Sequence, residues 1–96
     1  MDNQHRKISG YRELSQAEID LMNEIKALGP LIEEVTRKVK SHLAAQRVNV
    51  ATRASAVAEK ERLDAAEPER WLALGRTHAQ ESLMALTRAV AQPTFF

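Results

Sequence analysis

The sequence predicts an all-α protein, and three observations carry that prediction. Apolar side chains recur every three or four residues through residues 32–43 and again through residues 71–90, which is the spacing of amphipathic helices. Ser15 and Glu18 form the S-x-x-E pattern of a helix start, and Pro68 suits the first position of a later helix. We therefore expect a short N-terminal helix followed by long antiparallel helices.

The first helix has predicted boundaries at both ends. It should begin at Ser15, with Leu14 and Ile19 at the two positions whose apolar side chains pack across a helix N-terminus. It should end at about Leu28, because Gly29 and Pro30 follow. Pro30 lacks a backbone donor and its ring collides with the preceding turn, so a kink or a new helix start is expected.

The rest of the chain predicts two or three further helices. Residues 31–66 fit either a single helix or two helices joined near Asn49. The last helix should run from Pro68 to about Ala91, where Gln92 and Pro93 end it. Residues 1–10 are polar, which predicts a mobile N-terminal arm. The whole chain, residues 1–96, is predicted to form a single domain.

The composition predicts a thin core and therefore an oligomer. Of the 96 residues 44% are apolar, but alanine dominates them, and there is only one Trp with two Phe. Gly75, Ser82 and Ala89 recur every seven residues along one edge of the last helix. Such small side chains let a neighbouring helix approach closely, and a small helical chain gains stability by packing against copies of itself.

Several classes of protein are disfavoured. The 14 basic and 13 acidic residues give a net charge of +1, whereas a duplex DNA binder usually carries a basic excess. No apolar run is long enough to span a membrane or to act as a signal peptide. His5, His42 and His78 lie in separate segments, no glycine-rich phosphate loop is present, and there is no cysteine. We predict no catalytic residues, no metal site and no cofactor.

Two residues near the first helix are candidates for ligand binding. Tyr11 precedes the helix and is either an aromatic anchor for the arm or a platform on which a nucleobase stacks. Lys26 shares a helix face with Met22 and Gly29. It is either a solvated lysine or a cation at the edge of a shallow apolar pocket, where Gly29 leaves room for a ligand.

A third candidate lies in the last helix. Gly75 stands inside that helix, where glycine costs about 1 kcal/mol relative to alanine. Close packing of a neighbouring helix is one explanation. The other is that Gly75 opens space for a phosphate beside Arg76 and Thr77, which supply a forked cationic donor and a hydroxyl.

Two blocks of sequence around these candidates resemble the phage anti-CBASS cyclic-nucleotide sponges. The first is residues 2–26, with Gly10-Tyr11-Arg12-Glu13-Leu14 inside it. The second is Arg70-Trp71-Leu72-Ala73-Leu74-Gly75-Arg76-Thr77-His78, followed by Met84-Ala85-Leu86 and Arg88-Ala89-Val90. Together the blocks cover a little under half of the chain, in the expected order and separation, and residues 31–67 between them show no recognisable pattern.

The resemblance implies a function as well as an assembly. Such sponges are helical hexamers, built as a trimer of interlocked dimers, that bind cyclic dinucleotides such as cGAMP and cyclic trinucleotides without degrading them. In the cytoplasm of the infected bacterium the effectors of CBASS defence then stay inactive. The resemblance implies that Tyr11 stacks on a base and Lys26 holds a phosphate of the dinucleotide, with Arg12 and Leu28 flanking that site. It implies trinucleotide contacts at Gly75, Arg76 and Thr77.

Helix geometry makes a shared dinucleotide site reasonable. Lys26 lies about 16 Å along the helix from Ser15, so one chain cannot easily close both Tyr11 and Lys26 around a compact ligand. Two antiparallel chains would bring Tyr11 of one copy towards Lys26 of the other, and a two-fold interface would match a nearly symmetric dinucleotide. By the same argument a trinucleotide suits a three-fold axis. The alternative is a helical structural or adaptor protein with no nucleotide ligand.

Overall fold

The computed structural model describes residues 12–95 and contains three helices in that range. They are α1 (Gln16–Ala51), α2 (Val57–Ala66) and α3 (Pro68–Ala91), and residues 12–95 contain no β-strand. The prediction of an all-α fold is confirmed. The predicted arm of residues 1–10 and the candidate Tyr11 lie outside the described residues.

The start of α1 is fixed by the predicted pair of side chains. The backbone N–H of Glu18 donates to Ser15 Oγ at 3.2 Å, and the backbone N–H of Ser15 donates to Glu18 Oε1 at 2.8 Å. Each side chain thus satisfies a backbone donor that the first turn leaves unpaired. Leu14 and Ile19 are both half-buried, as expected of an apolar contact across this end.

The predicted end of this helix at about Leu28 is wrong. Helix α1 continues through Gly29 and Pro30 to Ala51, so no new helix begins at the proline. A break would leave several N–H and C=O groups unpaired at two new helix ends, whereas Pro30 inside the helix removes only one donor. Pro30 and Lys26 are both exposed, so water can reach the carbonyl of Lys26 that loses its partner.

Of the two arrangements predicted for residues 31–66, the structure has two helices. Helix α1 passes Asn49 and ends at Ala51, and a turn at residues 52–56 leads into α2. The turn is held by Thr52, whose N–H donates to the carbonyl of Val48 at 3.1 Å, and by Ala56, whose N–H donates to the carbonyl of Arg53 at 3.2 Å.

The boundaries of α3 are confirmed at both ends. Glu67 adopts a left-handed conformation (φ 49°) that ends α2, and α3 begins at the next residue, Pro68. At the other end Gln92 is also left-handed (φ 55°), and its N–H donates to the carbonyl of Arg88 at 2.8 Å. This is the usual way in which a helix is closed at its C-terminus.

The chain forms two compact units, and α1 and α3 each contribute to both. In the first unit, residues 12–29 and 80–95, the two helices run antiparallel. Arg12 reaches the carbonyls of Val90 and Ala91 at one end, and a Cβ placed on Gly29 would lie 3.9 Å from Leu83 Cδ1 at the other.

The second unit comprises residues 30–79 and contains the buried core. Leu43, Ala56 and Leu63 are its buried apolar residues. Arg47 on α1 links all three helices there, because its guanidinium donates to Glu69 on α3 at 2.8 and 3.0 Å and to Asp64 on α2 at 2.8 Å.

Large apolar side chains remain exposed along the helices of the described chain. Among them are Leu31 at 64% exposure, Val35 at 59%, Trp71 at 61% and Met84 at 71%. A single chain therefore buries few of its larger apolar groups, as its alanine-rich composition predicted.

The Glu18 carboxylate should make stability depend on acid pH. Hydrogen bonds from the Arg12 guanidinium and the Ser15 backbone lower the pKa of Glu18 from 4.5 to about 2. Since this pKa is lower in the folded than in the unfolded chain, the stabilisation is complete above about pH 4.5 and is lost as the pH falls towards 2. Glu18→Gln should remove this part of the acid sensitivity, measured as the thermal midpoint by circular dichroism between pH 7 and pH 2. Equal acid sensitivity in Glu18→Gln and the control Glu24→Gln would contradict the assignment.

Candidate functional site

A groove of about 720 Å³ opens in the first unit, between residues 22–26 of α1 and the last turns of α3. This volume suits a small organic ligand. Its walls are mainly apolar and are formed by Met22, Ile25, Leu83, Met84, Ala91 and Pro93.

Among the described residues, the polar groups that line the groove include two cations and no carboxylate. Lys26 and Arg88 line it together with Asn23 and Thr87, whose hydroxyl donates to the carbonyl of Leu83 at 2.8 Å. Within residues 12–95 Lys26 makes no hydrogen bond or ion pair, and Arg88 donates to the backbone carbonyl of Phe95. The groove therefore offers uncompensated positive charge beside apolar surface, which suits an anion with a flat or apolar body.

Lys26 and Met22 line this groove as a pair, in agreement with the face predicted for them. The role predicted for Gly29 stays a prediction. Gly29 faces Leu83 at an ordinary contact distance of 3.9 Å and is not among the groove residues.

Arg12 and Leu28, the two residues expected to flank Lys26, do not line the groove. Leu28 is 42% exposed on α1. Arg12 pairs with Glu18 and donates to the carbonyls of Val90 at 2.8 Å and Ala91 at 3.2 Å. Its charge thus satisfies the last carbonyls of α3, which is a structural task. The contact with Ala91 nevertheless joins Arg12 to a residue that lines the groove.

Gly75, Arg76 and Thr77 lie on α3 in the second unit and are all exposed. A Cβ placed on Gly75 would meet no described atom within 4 Å, so no helix of the described chain packs closely against it. Arg76 likewise makes no ion pair or hydrogen bond in the described part of the chain. This segment is an open surface with an available guanidinium.

Arg88 is the cation of the groove that the sequence analysis did not identify as a site residue. The signal in the sequence was a basic residue in the last turn of a predicted helix. Such residues are common there because they interact favourably with the negative end of the helix dipole, so the position did not indicate a ligand site.

The described residues provide neither a metal site nor a membrane span. Residues 12–95 contain no cluster of three or more His, Asp or Glu side chains that could hold a metal ion. None of their helices is both long and apolar enough to cross a bilayer.

Comparison with known proteins identifies the family. A sequence model of the Acb2/Tad1 hairpin domain matches residues 5–91. The chain belongs to the Acb2/Tad1 family. One relative is Anti-CBASS protein 2 of Pseudomonas phage JBD67, which is 44% identical over 105 aligned residues that cover 97% of each chain. The resemblance seen in the sequence is thereby confirmed, and the Acb2/Tad1 match also extends through residues 31–67, where no pattern was recognisable.

Proposed function

We propose that this protein captures cyclic oligonucleotide messengers and so prevents them from activating the effectors of CBASS defence, without degrading them. The observation that carries the proposal is the groove of about 720 Å³, which Lys26 and Arg88 line and to which residues 12–95 contribute no carboxylate. The relative from phage JBD67 supports a role against CBASS defence, since it is named as an anti-CBASS protein.

The groove suits the chemistry of a cyclic dinucleotide. In this proposal Lys26 binds a phosphate while the apolar walls contact sugars and bases, and the face of Tyr11 stacks on a base. In this proposal Tyr11 comes from a second copy of the chain, because one chain cannot easily close both Tyr11 and Lys26 around a compact ligand. Arg12 acts through its hydrogen bond to the carbonyl of Ala91, a groove residue, and we assign no ligand contact to Leu28.

The contacts named so far give a partial account of tight binding. Two stacked bases at roughly 1–3 kcal/mol each and two charge-assisted bonds at roughly 1.5–3 each give about 5–12 kcal/mol. Nanomolar capture needs about 12 kcal/mol after the costs of association. A preformed groove and at least one further polar contact are therefore required.

We propose further that the protein is a homo-oligomer, specifically a hexamer, in which copies share the ligand sites. The exposed Leu31, Val35, Trp71 and Met84 supply apolar surface for contacts between copies. Light scattering coupled to gel filtration should then give about six times the chain mass of 10.8 kDa. A monomer at micromolar concentration would contradict the oligomer and both shared sites.

A second site for cyclic trinucleotides is proposed on α3. Arg76 has an available guanidinium, Thr77 supplies a hydroxyl, and the space at Gly75 lets a ligand approach the helix backbone. Three copies of this segment around a three-fold axis would match three phosphates.

An effector assay tests capture directly. A cGAMP-activated CBASS effector is titrated with cGAMP at several fixed concentrations of the protein. Capture predicts that the effector stays inactive until the concentration of cGAMP exceeds the concentration of binding sites. The cGAMP concentration at which activation begins should be proportional to the protein concentration and should not change with longer incubation. Inhibition that excess cGAMP cannot relieve would indicate contact with the effector itself and would contradict capture.

A further inference from the structure

The groove beside Lys26 contains a second cation, and its surroundings give it a specific role. We propose that Arg88 is the second phosphate-binding residue of this groove and that the backbone carbonyl of Phe95 positions its guanidinium there. The inference rests on the proposed function, since it assumes a phosphate-bearing ligand in the groove.

The backbone after α3 brings Phe95 to Arg88. Gln92 leaves the helix in a left-handed conformation, with its N–H bonded to the carbonyl of Arg88. Pro93 then forms part of the groove wall, and the carbonyl of Phe95 accepts a hydrogen bond from Arg88 Nη2. The segment 92–95 therefore folds back beside the last turn of α3 and restrains the Arg88 side chain at the groove.

The pairing of Arg88 differs from that of four other arginines in the described chain. Their guanidinium groups are bonded to carboxylates; they are Arg12, Arg37, Arg47 and Arg62. Within residues 12–95 the partner of Arg88 is a neutral carbonyl, which restricts the side chain without cancelling its charge. A guanidinium has five N–H donors, so a forked set remains available for a phosphate.

Substitutions at Arg88 test ligand binding against a structural role. In calorimetric titrations with cGAMP, Arg88→Gln should weaken binding by about ten- to a hundredfold for each charge-assisted hydrogen bond that it removes. Arg88→Lys should weaken binding less, because it keeps the charge but not the fork. The control Arg37→Gln removes the same charge from the surface of α1 and should change affinity little. Oligomeric mass is measured for every variant.

The salt dependence of binding separates the two roles. If Arg88 binds a phosphate, Arg88→Gln should make the affinity for cGAMP less sensitive to ionic strength. If Arg88 only stabilises the end of α3, Arg88→Gln should lower thermal stability, and the salt dependence of cGAMP binding should stay as in the wild type. Arg37→Gln should keep the wild-type salt dependence.

The role of the C-terminal segment is tested in the full-length chain. Thr94→Gly with Phe95→Gly keeps the backbone carbonyl but loosens the segment, and neither side chain lines the groove. This double substitution should weaken cGAMP binding severalfold in the wild type and have no further effect in Arg88→Gln.

The outcomes distinguish this inference from the proposed function. If the wild type binds cGAMP and Arg88→Gln binds it equally well with unchanged salt dependence, the Arg88 assignment is overturned while capture stands. An equal loss of affinity from the glycine substitutions in both backgrounds overturns the positioning by Phe95. If the wild-type protein takes up no cyclic oligonucleotide, the proposed function fails and this inference fails with it.

Discussion

Tyr11→Ala should weaken cyclic dinucleotide binding by roughly 30-fold to 10⁴-fold. Each stacked base contributes about 1–3 kcal/mol, and a symmetric ligand between two copies uses the ring twice, so about 2–6 kcal/mol is lost. The measurement is calorimetry with cGAMP on protein whose oligomeric mass is unchanged.

Tyr11→Phe is the matched control for this prediction. It keeps the aromatic face and removes only the hydroxyl, so its affinity should stay close to that of the wild type. If Tyr11→Ala and Tyr11→Phe are weakened equally, the hydroxyl is responsible and the stacking assignment is wrong.

The two ligand classes should be separable by single substitutions. Arg76→Ala should withdraw three guanidinium groups from a cyclic trinucleotide at a three-fold junction, a loss of roughly 4.5–9 kcal/mol if each charge-assisted bond contributes about 1.5–3. It should leave cGAMP binding unchanged. Lys26→Ala should have the reverse effect, because Lys26 lines the groove and Arg76 lies on the exposed surface of α3.

Both ligands are titrated into each variant and into the double variant, with mass checked alongside. Independent sites predict additive losses of binding free energy. If cGAMP displaces a bound cyclic trinucleotide from the wild-type protein, a single shared site explains both ligands and the two-site proposal fails.

The helix ends that were predicted well depend on neighbouring residues. The hydrogen bonds between Ser15 and Glu18 span three positions, and Pro68 begins α3 because its fixed φ and missing donor suit a first turn. The helix end predicted before Pro30 was wrong. Pro30 removes one backbone hydrogen bond, whereas ending α1 there would also remove the backbone hydrogen bonds of neighbouring residues on both sides.

The candidate site was predictable only in part. Lys26 was identified because helix periodicity places it on one face with Met22, and both residues do line the groove. Arg88 was missed because its role depends on the chain returning after Gln92, an arrangement that helix periodicity does not describe. Arg12 was expected beside the ligand, but its guanidinium is bonded to the carbonyls of Val90 and Ala91. These residues lie nearly eighty positions away in the sequence, and the spacing of residues along one helix cannot predict such long-range pairs.

The fate of the captured molecule tests the central claim most directly. The protein is incubated with cGAMP, separated from free ligand and heat-denatured, and the supernatant is analysed by chromatography and mass spectrometry. Capture without degradation predicts intact cGAMP in a fixed ratio to protein, also after long incubation, and much less from Lys26→Ala. Linearised product would contradict sequestration, and no uptake of cGAMP or of cyclic trinucleotides would favour the structural or adaptor alternative.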